Sequence, residues 1–212
     1  MTCWAFYGKE TFKDHALGTL NCFRNNFEYI IPILSKRSGE KIENVRKSIE
    51  IAVAFHDIGK ASKKYINSYY GHELYSGYII SRIIRNCCDN KLRDIVALAA
   101  MSHHQAMVER GLELIKNNMY VRIPQFEFNE ECKGDINEVA KEIKVSIDID
   151  LTYITPNDVV SWLLRNKHIK EFYYYPIVLG PLMICDTYTA YQHRSDTQYE
   201  NILIREYKRF LM

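Results

Sequence analysis

The stretch AVAFHDIGKAS, residues 52–62, decides the fold prediction because it ends an apolar helix face with two residues that commonly bind metals. Apolar residues precede His56 at positions i−3, i−4 and i−7, so His56 continues the inner face of its helix. Asp57 follows directly, and Gly59 then interrupts the helical pattern. An imidazole beside a carboxylate can ligate one metal ion, or the carboxylate can bridge two.

Taken alone, the His56-Asp57 pair is more typical of a buried histidine with an ordinary polar partner than of a metal site. The rest of the sequence changes this interpretation, because metal-type ligands interrupt or end further apolar helix faces: His15, His72, His103, His104 and Asp186. A buried carboxylate costs several kcal/mol unless it is paired or bound to metal. Repetition on so many inner faces favours one shared metal site over separately satisfied polar residues.

Hydrophobic periodicity predicts a mainly α protein that forms one domain over residues 1–212. The predicted helices cover residues 12–34, 43–56, 72–86, 91–104, 156–168, 176–192 and about 202–211. Thr155 is the expected N-cap of the fifth of these helices, with Pro156 at its first position.

The period changes from about 3.6 to about 2 within an insert at residues 119–152. Alternating apolar residues predict one short strand over 121–128 and another over 145–151. A helical turn or two is expected between them, so the insert is a small β-containing excursion from the helical globule.

Composition excludes several classes of protein. The chain has 212 residues, 47% of them hydrophobic, and a net charge of +2, so neither disorder nor a purely electrostatic nucleic-acid binder is expected. We also expect no signal peptide and no membrane span. The six cysteines include no Cys-x-x-Cys pair, which favours buried free thiols in a cytoplasmic protein over a disulfide scaffold.

The order of these motifs resembles the HD superfamily of metal-dependent phosphohydrolases, and most closely the HD nuclease of type I CRISPR interference. The matching elements are His15, HDIGK at 56–60, GHELYS at 71–76, the tandem histidines 103–104 and CDTYTA at 185–190. The resemblance covers residues 3–192 without the insert. It implies an HD-domain helical globule with hydrolase activity on single-stranded DNA, and it leaves RNA open as a further substrate. The sequence has no GxxxxGK[ST] loop, so a separate helicase subunit and a guide-RNA interference complex are the implied partners.

The resemblance also implies a site with two divalent metal ions. His15, His56, Asp57 and Asp186 would hold one ion; His72, His103 and His104 would hold the other, with Asp57 bridging the two. Histidine-rich ligation favours Mn²⁺, Ni²⁺, Co²⁺ or Fe²⁺, and Mg²⁺ stays possible. The candidate catalytic residues are His56, Asp57 and Lys60.

Positive and polar side chains around these motifs are candidate nucleic-acid contacts: Lys60, Lys63, Lys64, Ser76 and Arg194. An ordinary solvated charged face explains the same residues equally well. Two other functions stay open at this stage. One is an HD phosphohydrolase of nucleotides or small phosphoesters, and the other is a non-catalytic HD binding subunit.

Overall fold

The computed structural model describes residues 2–65, 71–104, 124–147, 150–166 and 172–193. The helices in these residues are α1 (Phe12–Phe27), α2 (Ile30–Ser38), α3 (Ile42–Phe55), α4 (His72–Cys88), α5 (Arg93–Met101), α6 (Lys133–Glu142), α7 (Pro156–Asn166) and α8 (Tyr175–His193). Four short strands, β1 (Trp4–Phe6), β2 (Glu10–Thr11), β3 (Phe126–Glu127) and β4 (Tyr153–Ile154), form two antiparallel pairs. This architecture confirms the mainly α prediction.

Helix α3 lies at the centre of the core, and its apolar residues from Val45 to Phe55 are almost fully buried. Helices α1, α2, α4 and α5 pack against it, and α8 packs against α1 and α5. Helices α4 and α5 form the most extensive helix pair and run antiparallel, so the start of α4 lies beside the end of α5. This arrangement brings His72 near His103. None of the helices in the described residues is both long and apolar enough to cross a membrane.

The first predicted helix, over 12–34, is wrong in its extent because the structure divides it. Helix α1 ends at Phe27 and α2 begins at Ile30, so Pro32 lies in the first turn of α2. Proline is tolerated there because its missing N–H would have no intrahelical partner. The predicted terminal helix over 202–211 lies outside the described residues.

The insert contains only the first strand of a pair, because the second strand, β4, lies later than predicted and just beyond residue 152. Phe126 pairs with Ile154, whereas residues 145–147 form no strand. The reason is the end of α6: Lys144 has a φ of 53°, and the Val145 N–H donates to the Ala140 carbonyl over 3.0 Å. That amide therefore forms a hydrogen bond at the end of α6 and is not available to pair with a neighbouring strand.

Two more local features of the fold differ in how well the sequence predicted them. The predicted cap of α7 is confirmed, since Thr155 Oγ1 accepts from the Asp158 N–H and the Thr155 N–H donates to Asp158 Oδ2. The hairpin formed by β1 and β2 was not predicted. Its strands have three and two residues, too few for a clear period.

Four cysteines form disulfides, so the expectation of free thiols is wrong for them. Cys3 is bonded to Cys132, and Cys22 on α1 is bonded to Cys185 on α8. The partners lie 129 and 163 residues apart in sequence, which is why no short spacing reveals them. The second disulfide joins the helices that carry His15 and Asp186.

Candidate metal centre

The turn after α3 places His56 and Asp57 inside the molecule. His56 is the C-cap of α3, and Asp57 precedes a 3-10 turn over Ile58–Ala61. A Cβ atom at Gly59 would lie 1.9 Å from the backbone oxygen of His72, so only glycine allows this close approach. The first residue of α4 is thereby held against the turn that carries Asp57.

One set of side chains, here called the first ligand group, consists of His15, His56, Asp57 and Asp186. His15 Nε2 lies 3.4 Å from Asp57 Oδ2, 3.0 Å from Asp186 Oδ1 and 3.2 Å from His56 Nε2. One potential ligand atom from each residue lies within 4.8 Å of the others. Helices α1 and α8 and the turn after α3 therefore converge on one point.

The second ligand group consists of Asp57, His72, His103 and His104. The Nε2 atoms of His72 and His103 each lie 3.3 Å from Asp57 Oδ1, and that of His104 lies 4.0 Å from it. The two carboxylate oxygens of Asp57 therefore contact different groups. Oδ2 faces His15, and Oδ1 faces the histidines of α4 and of the chain just after α5.

The hydrogen bonds of the buried histidines show which ring nitrogens are available as ligands. His56 Nδ1 lies 2.8 Å from the Val53 carbonyl and His103 Nδ1 lies 2.6 Å from the Ala100 carbonyl. A carbonyl only accepts, so each Nδ1 carries a proton and the Nε2 of the neutral ring offers a lone pair.

The acceptor atoms at the centre lack enough donors. Within the described residues, both oxygens of Asp57 and Nε2 of His103 are buried without a hydrogen bond of acceptable geometry. Buried polar atoms are rarely left in this state. Lone pairs and carboxylate oxygens that converge in this way fit divalent cations, and histidine nitrogen with carboxylate oxygen is a common donor set for transition metals.

Both carboxylates of the centre are ionised at neutral pH. Burial alone would raise the pKa of each, but the charge of Lys60 lowers the pKa of Asp57 well below its usual range. For Asp186, the hydrogen bond from His15, together with the neighbouring His56 ring, outweighs burial in the same way and holds its pKa well below the usual range.

The imidazoles differ from one another in their protonation. Burial opposes the charged form of His15, but hydrogen bonds to Asp186 and Glu10 prevail and raise its pKa to about 9. Burial and the neighbouring His103 lower the pKa of His104 to about 3. Without a metal ion, a proton on His15 thus balances part of the carboxylate charge, whereas His104 stays neutral.

Three residues that the sequence analysis missed lie behind the ligands. Glu10 Oε1 is 2.9 Å from His15 Nδ1 and 2.9 Å from His193 Nδ1, and Glu73 Oε2 is 3.3 Å from His72 Nδ1. Glu10 and Glu73 are buried. No periodic pattern marks Glu10, which lies in a two-residue strand, but Glu73 directly follows a predicted ligand.

The candidate nucleic-acid residues have different environments. Lys60 Nζ lies 2.5 Å from Asp57 Oδ2, at the edge of both ligand groups. Lys64 Nζ pairs with Glu127 over 3.4 Å, and Lys63 is exposed. The predicted nucleic-acid contact of Ser76 is corrected, because its side chain is fully buried. Its Oγ accepts from the Gly59 N–H over 2.9 Å, so Ser76 positions the turn after α3 instead. Arg194 lies outside the described residues.

Comparison with known proteins agrees with the motif order. No family model matches the chain. The chain is similar to the CRISPR-associated endonuclease Cas3-HD of Methanocaldococcus jannaschii, with 27% identity over 168 residues that cover 68% of this chain and 69% of that protein. This similarity supports a CRISPR-associated HD nuclease, and the resemblance predicted from the sequence is therefore confirmed.

Proposed function

We propose that the protein is a metal-dependent nuclease that hydrolyses phosphodiester bonds of single-stranded DNA in CRISPR interference. The position of Asp57 between the two ligand groups is the observation that carries this proposal. Its Oδ2 lies 3.4 Å from His15 Nε2 and its Oδ1 lies 3.3 Å from His72 Nε2. A carboxylate shared in this way is suited to two adjacent cations, an arrangement common in phosphodiester hydrolysis.

The proposed assignment of ligands follows the two groups. His15, His56, Asp57 and Asp186 hold one divalent ion, and Asp57 also serves the second ion with His72, His103 and His104. The donor set favours Mn²⁺, Fe²⁺, Co²⁺ or Ni²⁺ over Mg²⁺, which prefers oxygen ligands. When bound, such a pair of ions supplies an activated water and stabilises the charge of the scissile phosphate.

Lys60 positions the substrate in this proposal. Its ammonium group lies at Asp57 and is only 7% exposed, so few water molecules can screen its charge. A compact point charge of this kind can hold a phosphate oxygen without a fixed hydrogen-bond geometry. His104, whose side chain is 39% exposed, marks the side from which a phosphate reaches the ligands.

The depth of the ligands favours a single strand over a duplex. His15, His56, Asp57 and His103 are all almost fully buried. A stiff duplex cannot bend sharply without a cost of several kcal/mol, so its phosphates reach recessed groups poorly. A flexible single strand can enter at a smaller cost, and unpaired RNA shares this flexibility.

The net charge of the chain and the name of the similar Cas3-HD protein both support the proposed partners. A net charge of +2 provides little attraction for nucleic acid over the whole chain, so delivery of the strand by a separate helicase subunit and a guide-RNA complex suits this protein. The relative's designation as a CRISPR-associated endonuclease supports the same setting, and with it a cytoplasmic location.

One panel of substrates tests the proposed function. Labelled single-stranded DNA, duplex DNA, single-stranded RNA and the dNTPs are each incubated with Mn²⁺, Ni²⁺ or Mg²⁺. We expect cleavage of single-stranded DNA with a transition metal and little cleavage of the duplex. Rapid hydrolysis of dNTPs with intact strands would instead identify a nucleotide phosphohydrolase, and inertness toward every substrate would favour a non-catalytic subunit.

A further inference from the structure

A second charged cavity lies away from the metal centre, between α4, α5 and α7. Its volume is about 430 Å³, and four arginines line it: Arg82, Arg85, Arg93 and Arg165. Arg85 lies thirteen residues after His72 on α4, which corresponds to roughly 20 Å along the helix axis. Arg93 begins α5, whereas His103 follows the end of that helix. We call this cavity the arginine cleft.

The charge in the arginine cleft is unbalanced. Asp94 is the one carboxylate among the lining residues, and it is fully engaged. It accepts from Ser81 Oγ over 2.6 Å, from Trp162 Nε1 over 3.0 Å and from Arg93 Nη2 over 2.7 Å. Arg93 pairs with both Asp94 and Asp89, and the carboxylate of Asp150 interacts with the charge of Arg82. Arg85 and Arg165 are therefore the arginines that face the cavity with no further carboxylate among the lining residues.

The base of the cleft is held in place by packing. Trp162 is almost fully buried, and the Tyr78 ring meets it edge-on at a centroid distance of 6.3 Å. The guanidinium of Arg82 lies 5.8 Å from the centre of the Tyr78 ring, and its Nη1 donates to the Asp150 carbonyl over 3.2 Å. Arg85 and Arg165 are exposed at the rim. An anion therefore meets a fixed base and two exposed cationic side chains.

We propose that the arginine cleft binds the phosphodiester backbone of a single nucleic-acid strand. Planar guanidinium groups match phosphate oxygens two at a time, which is why arginine rather than lysine is typical of phosphate recognition. The volume suits a nucleotide-sized group, since pockets for small ligands begin at about 300 Å³. A stable protein partner instead needs about 800 Å² of surface on each side, more than a concave cleft of this size offers.

Arg85 and Arg165 are the residues to change, because neither belongs to the metal centre and both are exposed. The test measures binding of a fluorescein-labelled 20-nucleotide oligo(dT) by fluorescence anisotropy, with EDTA present so that no strand is cut. The variant is Arg85→Ala/Arg165→Ala. Its matched control is Lys36→Ala/Arg37→Ala, which removes the same charge from the exposed last turn of α2.

We expect the cleft variant to bind the strand about tenfold more weakly than the unchanged protein, and the control to bind within about twofold of it. Loss of two phosphate contacts should also make the negative slope of log association constant against log salt concentration less steep by about 1.4. The charge-preserving variant Arg85→Lys/Arg165→Lys should recover that slope and only part of the affinity, since lysine cannot bind a phosphate bidentately.

Equal binding by the cleft variant and the control would overturn the proposal. So would a failure of the unchanged protein to bind oligo(dT) at low salt. If labelled poly-glutamate bound the unchanged protein but not the cleft variant, while the affinity for the strand did not change, the cleft would be a site for an acidic protein and the proposal would fail. Because EDTA is present throughout, these results do not depend on whether the metal centre cleaves DNA.

Discussion

Glu10 Oε1 lies 2.9 Å from His15 Nδ1, and the opposite ring nitrogen of His15 lies 3.0 Å from Asp186 Oδ1. Where Glu10 Oε1 accepts from Nδ1–H, the proton of the neutral ring is held on Nδ1 and the lone pair of Nε2 points toward the first ligand group. A carboxylate behind a histidine ligand commonly sets both the orientation and the basicity of the ring.

The variant Glu10→Gln should therefore weaken metal binding while the ligands themselves stay unchanged. We expect the Kd for Mn²⁺ to rise by about 10- to 100-fold, as for other partners of metal-bound histidines. Calorimetric titration of the metal-free protein with Mn²⁺ measures this directly. Glu138→Gln is the control, because Glu138 is exposed on α6 and pairs with Lys13 over 3.1 Å. Equal affinities in the two variants would contradict the role of Glu10.

The variant Gly59→Ala should disturb the second ligand group more than the first. A Cβ at this position would lie 1.9 Å from the His72 backbone oxygen, so α4 must shift away from Asp57. Such overpacking costs about 1–3 kcal/mol of stability. We expect a lower Tm in thermal melts, and loss of one of the two metal ions in elemental analysis.

Gly134→Ala is the matched control for this substitution. Nothing lies within 4 Å of a Cβ built at Gly134, and alanine is the better helix former within α6. We expect an unchanged metal content and an equal or slightly higher Tm. An unchanged Tm and metal content in Gly59→Ala would show that α4 does not depend on this close approach.

Metal binding should depend on pH because His15 holds a proton in the metal-free protein. Its pKa is raised to about 9, so at pH 7 a metal ion must displace that proton. Between pH 7 and pH 9 the affinity for Mn²⁺ should rise about tenfold per pH unit for each proton released. Calorimetry at pH 7 in two buffers of different ionisation enthalpy counts the protons, and a count of zero would contradict this account.

The sequence singled out the residues that form the two ligand groups because each of them interrupts or ends an apolar helix face, and their role as metal ligands is the proposal made above. That rule places His56 on the inner side of α3, and it needs only the period of one helix. Helix packing decides which of these residues lie together. Hydrophobic periodicity alone therefore could not divide them into two groups, and only the motif resemblance predicted that division. Glu10 was missed because a strand of two residues carries no period.

The features that were predicted wrongly depend on contacts that the hydrophobic pattern of a short segment does not reveal. Residues 145–147 alternate like a strand, but the Val145 amide is used to close α6. The disulfide between Cys22 and Cys185 joins residues on two helices that become neighbours only in the folded chain. Neither the local composition nor the spacing of the cysteines predicts such a pairing.

The shared carboxylate of Asp57 is the central claim, and metal stoichiometry in Asp57→Asn tests it most directly. Asparagine keeps the size of the side chain, so the variant should fold, and thermal melts can check this. It offers only one weak oxygen ligand, so it should not serve two metal ions. After equilibration with Mn²⁺ and removal of free metal, elemental analysis should find two ions per unchanged chain and at most one per variant chain, with cleavage of single-stranded DNA abolished. Two tightly held ions in Asp57→Asn would contradict the shared carboxylate.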